Sequence, residues 1–357
     1  MRNLASALAL AVSLLSLPAI GTGTAAAAEK KDFSVCWSIY AGWMPWGYMQ
    51  DSGILKKWAD KYGIAIKAVQ INDYVESINQ YTAGQYDGCA MTNMDALSIP
   101  AAGGVDTTAL IAGDYSNGND GLVLKNETDL AAVKGQRVNL VEFSVSHYFL
   151  VRALESVGMT ERDITTVNTS DADMVSVYGT PEVTAVATWN PMLSQIVDDQ
   201  GGHLVFDSSK IPGEIIDMMA VNTETLKDNP NFGKALVGAW FEVLDLMKSD
   251  TPEGKKALEA MAAASGTDLE GYKSQLAATA LFYTPKDLLA FTSGGQLPKT
   301  TKFVAEFLYD HGILGQGAPS PEFVGVTFPD GSTYGDTNNI KLRFDDSFVK
   351  MAETGGL

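Results

Sequence analysis

Histidine and cysteine are scarce in this sequence, three of the first and two of the second in 357 residues. Two cysteines cannot form a four-ligand zinc site by themselves, and the histidines do not supply metal spacing around them. Basic residues are the minority, 25 Lys and Arg against 43 Asp and Glu. The resulting formal net charge of −18 argues against nucleic acid and anionic membranes as partners. There is no Gly-x-Ser-x-Gly elbow, no His-Glu-x-x-His and no Walker-type phosphate loop. Beyond the first 28 residues no apolar run is long enough to span a bilayer. What is present is ordinary for a globular chain. A hydrophobic content of 46% and this length suffice for two domains with real cores.

The amino-terminal 28 residues read as a leader. Arg2 supplies a positive start, Leu4 to Ile20 is apolar, and Ala26-Ala27-Ala28 is a small-residue cleavage site before Glu29. No cysteine follows the site, so no lipid anchor is expected. The mature chain is expected in a bacterial periplasm. That oxidising compartment permits a disulfide between Cys36 and Cys89, both on predicted strands of one sheet. A bridge and two buried free thiols stand as alternatives.

The stretch Cys36-Trp37-Ser38-Ile39-Tyr40-Ala41-Gly42-Trp43-Met44-Pro45-Trp46 orders the rest. Val35, Trp37 and Ile39 alternate as in a pleated strand, and Gly42 and Pro45 end the run. A helix is predicted from Trp46 to about Tyr62. Strands then alternate with helices: 64–71, a helix over 74–83 capped by Asp73, 86–91, a helix opened by Thr92, and 108–112. The polar, glycine-rich segment 113–121 reads as a crossing into a second unit. That unit carries a strand ending at Val141, a helix from about His147 to Val157, strands over 164–167 and 183–188, and an extended return over 215–221. From about Leu226 the chain reads as helical, and the Gly-, Pro- and Ser-rich tail from Gly315 as irregular. Alternation of this kind implies a parallel sheet in an α/β layer architecture.

This order of motifs resembles the periplasmic solute-binding proteins of bacterial ABC importers, in the branch that binds nitrate, taurine and alkanesulfonates. Val133-Lys134-Gly135-Gln136-Arg137-Val138 is similar to the branch's L-K-G-K-x-V approach to the second lobe, and Ala185-Val186-Ala187-Thr188-Trp189-Asn190-Pro191 to its D-A-x-x-x-W-x-P segment. Glu142 to His147 stands where the family places a ligand-contacting loop before a helix. The resemblance covers nearly all of the mature chain. It implies an α/β, two-lobed periplasmic-binding-protein fold of type II, each lobe a mostly parallel sheet flanked by helices, with two hinge crossings. Lobe one is expected over 29–116 and 222–357, and lobe two over 117–221. The family implies a monomer without cofactor that delivers a small-molecule ligand to an ABC transporter permease. Tyr40 to Trp46, Thr92 to Ala96 and Gly113 to Asp120 further resemble a subgroup labelled as urea transport components, associated with enzymes of which some act on guanidine. That narrower resemblance implies urea or guanidinium as ligand.

The predicted strand ends carry a chemistry of their own. The candidate ligand-binding residues are Tyr40, Trp43, Trp46, Asn93, Asp95 and Asp114 from lobe one, Glu142, Ser144 and Trp189 from lobe two, and Asp217 from the return crossing. Carboxylates and aromatics dominate, with no Lys or Arg at these mouths. A nitrate or sulfonate site needs positive donors or helix N-termini without competing carboxylates. Guanidinium offers the reverse fit, pairing its N–H groups with carboxylates and stacking its face on tryptophan. Cation–π contact is worth roughly 0.5–2 kcal/mol and a charge-assisted hydrogen bond roughly 1.5–3 kcal/mol. Urea has the same outline with one carbonyl acceptor, and stands as the alternative beside taurine, sulfonate and nitrate. The same fold occurs in thiamin-pyrimidine synthases, whose cysteine-rich iron motif is absent here; a sensor subunit is not separable from a transport subunit by sequence. At this level Glu142→Gln is expected to weaken guanidinium binding far more than urea binding, as read by calorimetry.

Overall fold

In the computed structural model, residues 30–315 and 317–357 are described, and the leader expected over 1–28 lies outside them. The first strand, β1 (Asp32–Trp37), ends two residues earlier than its alternation predicts, because the chain turns at Tyr40 into a short 3-10 segment, Ala41–Trp43. The predicted long helix is two, α1 (Met44–Ser52) and α2 (Ile54–Lys61), interrupted at Gly53. Next come β2 (Ala65–Gln70), α3 (Tyr74–Thr82), β3 (Gly88–Thr92) and the four-residue α4 (Asn93–Ala96). Asp73 caps α3 by accepting from the amide of Glu76, and Thr92 caps α4. Strand β4 (Thr107–Tyr115) runs three residues past its predicted end, and β5 (Asp120–Leu124) begins before the predicted crossing is over. The crossing is therefore only 116–119.

The second unit continues with β6 (Arg137–Leu140), α5 (Val145–Ser156), β7 (Thr165–Asn168), β8 (Ala185–Trp189) and β9 (His203–Asp207). Strand β9 escapes the sequence reading because it is a half-exposed edge strand with a weak alternation. The return, β10 (Ile216–Asn222), is a fully formed strand. Helices Pro230–Lys248, Pro252–Ala264, Leu269–Ala277, Pro285–Thr292 and Gln296–Asp310 follow. The tail expected to be irregular instead holds β11 (Gly325–Thr327), β12 (Thr333–Tyr334), β13 (Ile340–Phe344) and a last helix, Ser347–Glu353. Strands β11 and β12 are too short for period-2 patterning to rise above their Gly and Pro neighbours, whereas the alternation Ile340, Leu342, Phe344 of β13 was there to be read.

Two sheets result. One has eight strands in the order β12-β11-β13-β4-β10-β3-β1-β2, the other five in the order β7-β6-β8-β5-β9. Helices flank both, so the architecture is the α/β two-lobed one. The pairs β1–β2, β1–β3, β13–β4 and β6–β7 are parallel, while β10 runs antiparallel between β3 and β4. That reversal follows from the path: a chain that has crossed into the second sheet re-enters the first from the opposite end. The two crossings lie side by side. Ser116 and Ser208 share a hydroxyl hydrogen bond of 2.7 Å, and the amide of Ser116 donates to the carbonyl of Ile215 at 3.0 Å.

Trp46 sits in the core, stacked on Trp240 with ring centroids 5.1 Å apart. Among the described residues no helix is long and apolar enough to cross a membrane. Of the two alternatives for the cysteines, the structure has the bridge: Cys36 on β1 and Cys89 on β3 are register partners joined as a disulfide, with Cα atoms 4.4 Å apart. The bridge closes a 53-residue separation, for which loop-closure entropy gives about 4 kcal/mol of stabilisation. Unreduced protein denatured in guanidine-free urea is expected to titrate no free thiol, and reduction is expected to lower the unfolding free energy by about 2–4 kcal/mol.

Candidate functional site

Antiparallel register builds the floor of the site. Directly opposed residues of adjacent strands share a face, and Asp217 of β10 is opposed by Thr92 on β3 and by Asp114 on β4. The β4 side reaches this alignment through a bulge. Asp217 pairs with Asp114 while Met218 already pairs with Ala112, so Gly113 is the extra residue. A side chain at 113 is barred, since a Cβ there would lie 2.9 Å from the Trp240 ring. The outcome is a row of Thr92, Asp217 and Asp114 on one face at the edge of the first sheet. The second sheet supplies a counterpart, because β5 runs antiparallel to β8 and sets Asp120, its first residue, opposite Trp189, the last residue of β8.

Between them lies a small cavity of about 20 Å³, lined by Tyr40, Trp43, Tyr74, Thr92, Asp120, Val145, Trp189, Ile215 and Asp217. Its walls are a chain of rings. Tyr40 meets Trp43 edge-on at 5.2 Å, Trp43 meets Tyr74 at 5.6 Å, and Tyr74 meets Trp189 edge-on at 5.6 Å. Among the described residues, no Lys, Arg or His lines it. The Tyr40 hydroxyl donates to Asp114 Oδ1 at 3.0 Å, which places Asp114 immediately behind the wall. Gly42 lets that carboxylate in: a Cβ at 42 would stand 2.6 Å from Asp114 Oδ2. Asp114 Oδ2, Asp217 Oδ2 and the Trp43 indole N–H are buried and have no hydrogen-bond partner.

The electrostatic consequence is an uncompensated acidic cluster. Burial pushes Asp114 up to about 7, against the pull of the Tyr40 hydroxyl, and Asp120 also up to about 7. Burial, followed by the charges of Asp114 and Asp120, raises Asp217 well above the carboxylate range, so the facing pair keeps its proton on Asp217. Asp95 is a different case. Burial lifts it to about 6, but it accepts from the Tyr74 hydroxyl (2.6 Å), the Thr92 hydroxyl (2.9 Å) and the amide of Val145 (3.3 Å).

That last bond crosses from the first sheet's elements to the N-terminus of α5, and others cross beside it. Asp171 accepts from the amide of Tyr74 at 3.1 Å, and the Ser170 hydroxyl donates to Asp73 at 2.7 Å. The Trp189 indole donates to the carbonyl of Ile39 at 3.0 Å, and the amide of Ala41 to the carbonyl of Asn190 at 3.2 Å. The two halves are thus drawn together around the cavity.

Of the residues singled out by sequence, the structure brings Tyr40, Trp43, Trp189 and Asp217 to the cavity wall, with Asp114 just behind. It places the others elsewhere. Trp46 packs on Trp240 and has no access. The Asn93 side chain donates to the carbonyl of Glu214 and accepts from the amide of Ile216, strapping the return crossing. Asp95 ties α3, α4 and α5 together. Ser144 caps α5, accepting from the amide of Ser146. Glu142 is half-buried in a separate groove with Asp73, Glu76 and Asn168, because the chain turns at Phe143 (φ 61°) and points Val145 rather than Glu142 at the cavity. His311 pairs through Nδ1 with Glu161 at 2.6 Å, as His147 Nε2 does from the other side.

Sequence reasoning missed Tyr74, Thr92, Asp120, Val145 and Ile215 as lining residues. Tyr74 opens a helix straight after a strand end, the position where ligands gather in α/β sheets, and that signal was available. Asp120 was masked by its turn-rich surroundings; only the antiparallel register of β5 reveals it.

Two sheet-bearing lobes, paired crossings and a cavity at the strand ends between them define a periplasmic-binding-protein fold. The chain belongs to the NMT1-like family, which matches residues 38–263. Among solved structures it is similar to the alkanesulfonate-binding protein SsuA from Xanthomonas axonopodis pv. citri bound to MOPS, at 16% identity and a TM-score of 0.64 over 81% of this chain and 96% of that one. The periplasmic aliphatic sulphonate binding protein SsuA from Escherichia coli matches at 17% identity and a TM-score of 0.62, over 80% and 94%. The periplasmic nitrate-binding protein NrtA from Synechocystis PCC 6803 matches at 16% and 0.57, over 91% and 99%. No curated protein sequence matches the chain.

The acid cluster sets the sign of a pH effect. In the unfolded chain these aspartates ionise near 3.9, whereas in the folded one Asp95, Asp114 and Asp120 hold their protons to about 6 or 7. Between these limits the native state binds more protons, so stability is full below pH 4 for these groups and declines as pH rises through 7. The melting temperature of ligand-free protein, taken by calorimetry, is expected to be lower at pH 8 than at pH 5.5.

Proposed function

We propose that this protein is the extracytoplasmic solute-binding component of an ABC importer and that its solute is guanidinium. The observation that carries the reading is the cavity wall: rings on several sides, Asp120 and Asp217 among them, and no basic residue. The similar proteins above are described as binding alkanesulfonates and nitrate, which are anions. An anion in this cavity would lie against carboxylates without a counter-charge, at a Coulombic cost of several kcal/mol for a partly screened pair. A planar cation offers its faces to Trp43 and Trp189 and its N–H edges to Asp217 and Asp120. A quaternary ammonium ion would suit the rings equally but has no N–H to satisfy the unpartnered oxygen of Asp217. The unpartnered indole N–H of Trp43 favours urea as a second reading, because urea carries a carbonyl to accept from it.

The lobes, one carrying the eight-stranded sheet and the other the five-stranded sheet, close by bending at the two crossings, 116–119 and 208–215; the second ends before the expected lobe boundary at 221 because β10 pairs within the first sheet. Ser116, Gly118 and Ser208 would keep those strands together while they flex. The bonds from Asp95 to Val145, Asp171 to Tyr74 and Trp189 to Ile39 then form only in the closed state. A binding role rather than catalysis is supported by the family.

A thermal-shift panel of guanidinium, methylguanidine, urea, taurine and nitrate at pH 8 tests the assignment, since saturation a hundredfold above Kd adds about 2.7 kcal/mol. Guanidinium is expected to give the largest shift, and a response to taurine or nitrate instead would remove the charge argument. Asp217→Asn is expected to weaken guanidinium by roughly 10–100-fold, the worth of a charge-assisted bond, while Glu142→Gln, outside the cavity, changes it by less than about twofold.

A further inference from the structure

We infer that solute capture here is a cation-for-proton exchange: the arriving guanidinium displaces a proton held between Asp217 and Asp114, so that loading is tied to the acidity of the compartment. This rests on the guanidinium reading and goes beyond it.

The geometry supplies the exchange site. Asp114 and Asp217 are opposed in register on adjacent strands, 0% and 4% exposed, each with an oxygen that meets no donor. Asp120 adds a third acid from the second sheet, 4% exposed. The titratable groups that face this cluster from the surrounding elements are Tyr40 ahead of α1, Asp95 on α4, Tyr272 on the helix Leu269–Ala277 and Tyr283 in the segment after it. All are acids, and all resist ionisation in this surrounding. Among the described residues, none of Asp114, Asp120 and Asp217 takes part in a salt bridge. Two facing carboxylates without a cation cannot both ionise in a buried site, so the pair shares a proton. Raised values for Asp114 and Asp217 agree with that geometry.

Guanidinium brings one positive charge and stays protonated throughout the physiological range, as the arginine side chain does. When it docks, the Asp217 carboxyl loses its O–H proton to solvent, and the resulting carboxylate accepts N–H bonds from the ligand. Charge balances as one cation in and one proton out. Neutral urea makes no such demand and leaves the proton in place.

Isothermal titration of the mature protein with guanidinium chloride at pH 8, in phosphate and in Tris, reads the proton directly. The observed heats are expected to differ by the buffers' ionisation enthalpies multiplied by about one proton released per guanidinium. Affinity is expected to rise with pH from 5 to 8.5, close to tenfold per unit once Asp114 has ionised near 7 while Asp217 still holds its proton. In Asp217→Asn the released proton is expected to disappear. Guanidinium binding with equal heats in both buffers and a flat pH profile overturns the exchange while leaving the ligand assignment intact. Absence of guanidinium binding at every pH from 5 to 8.5 removes the ligand assignment and the exchange together.

Discussion

Buried carboxyl groups without a counter-ion are the constraint around which this structure is arranged. Three aspartates meet where two sheets face each other, and the surrounding wall offers hydroxyls and rings but no cation. Most buried acids in proteins are neutralised by a lysine, an arginine or several amides. Asp95 shows what that looks like here, with two hydroxyls and the α5 amide closing around one oxygen. Asp114 and Asp217 each keep an oxygen without such company, and the contrast separates an acid that holds the halves together from acids left beside the cavity. The row that presents them depends on β10 being a strand shared by both of its neighbours, and hence on the path that sends the chain out to the second sheet and back.

Much of the scaffold was legible in the sequence because it is written in strong periodicities. Alternation of strands and helices from Asp32 to Trp189, the cap at Asp73 and the turn at Gly42 all follow from local patterns. Strands β11 and β12 were not legible, since Gly325–Thr327 and Thr333–Tyr334 are shorter than the window in which alternation can be seen. The long β4 was also cut short in the reading. Gly113 looks like a loop residue in sequence and acts as a bulge in a continuing strand.

The site was legible in kind more than in detail. Acidic and aromatic character could be read from the strand ends, and Tyr40, Trp43, Trp189 and Asp217 do reach the cavity. Glu142 does not, although it follows an apolar strand directly, because a single left-handed residue at Phe143 turns the chain before α5. Trp46 lies one helical turn beyond Trp43 and is taken up by Trp240. Tyr74, Thr92 and Asp120 are brought in by pairing between distant segments, which no local pattern records.

The bulge at Gly113 carries an evolutionary consequence. Draw that one residue into the regular ladder, opposite Asp217, and alternation resumes: Asp114 falls opposite Ile216 and turns to the far side of the sheet, while the pairing from Ala112 back along β4 keeps its place. The architecture would survive the slip; the acid pair would not. A lineage built on this scaffold can therefore change the charge its cavity presents by letting a single backbone unit slip into register, without redesigning its core.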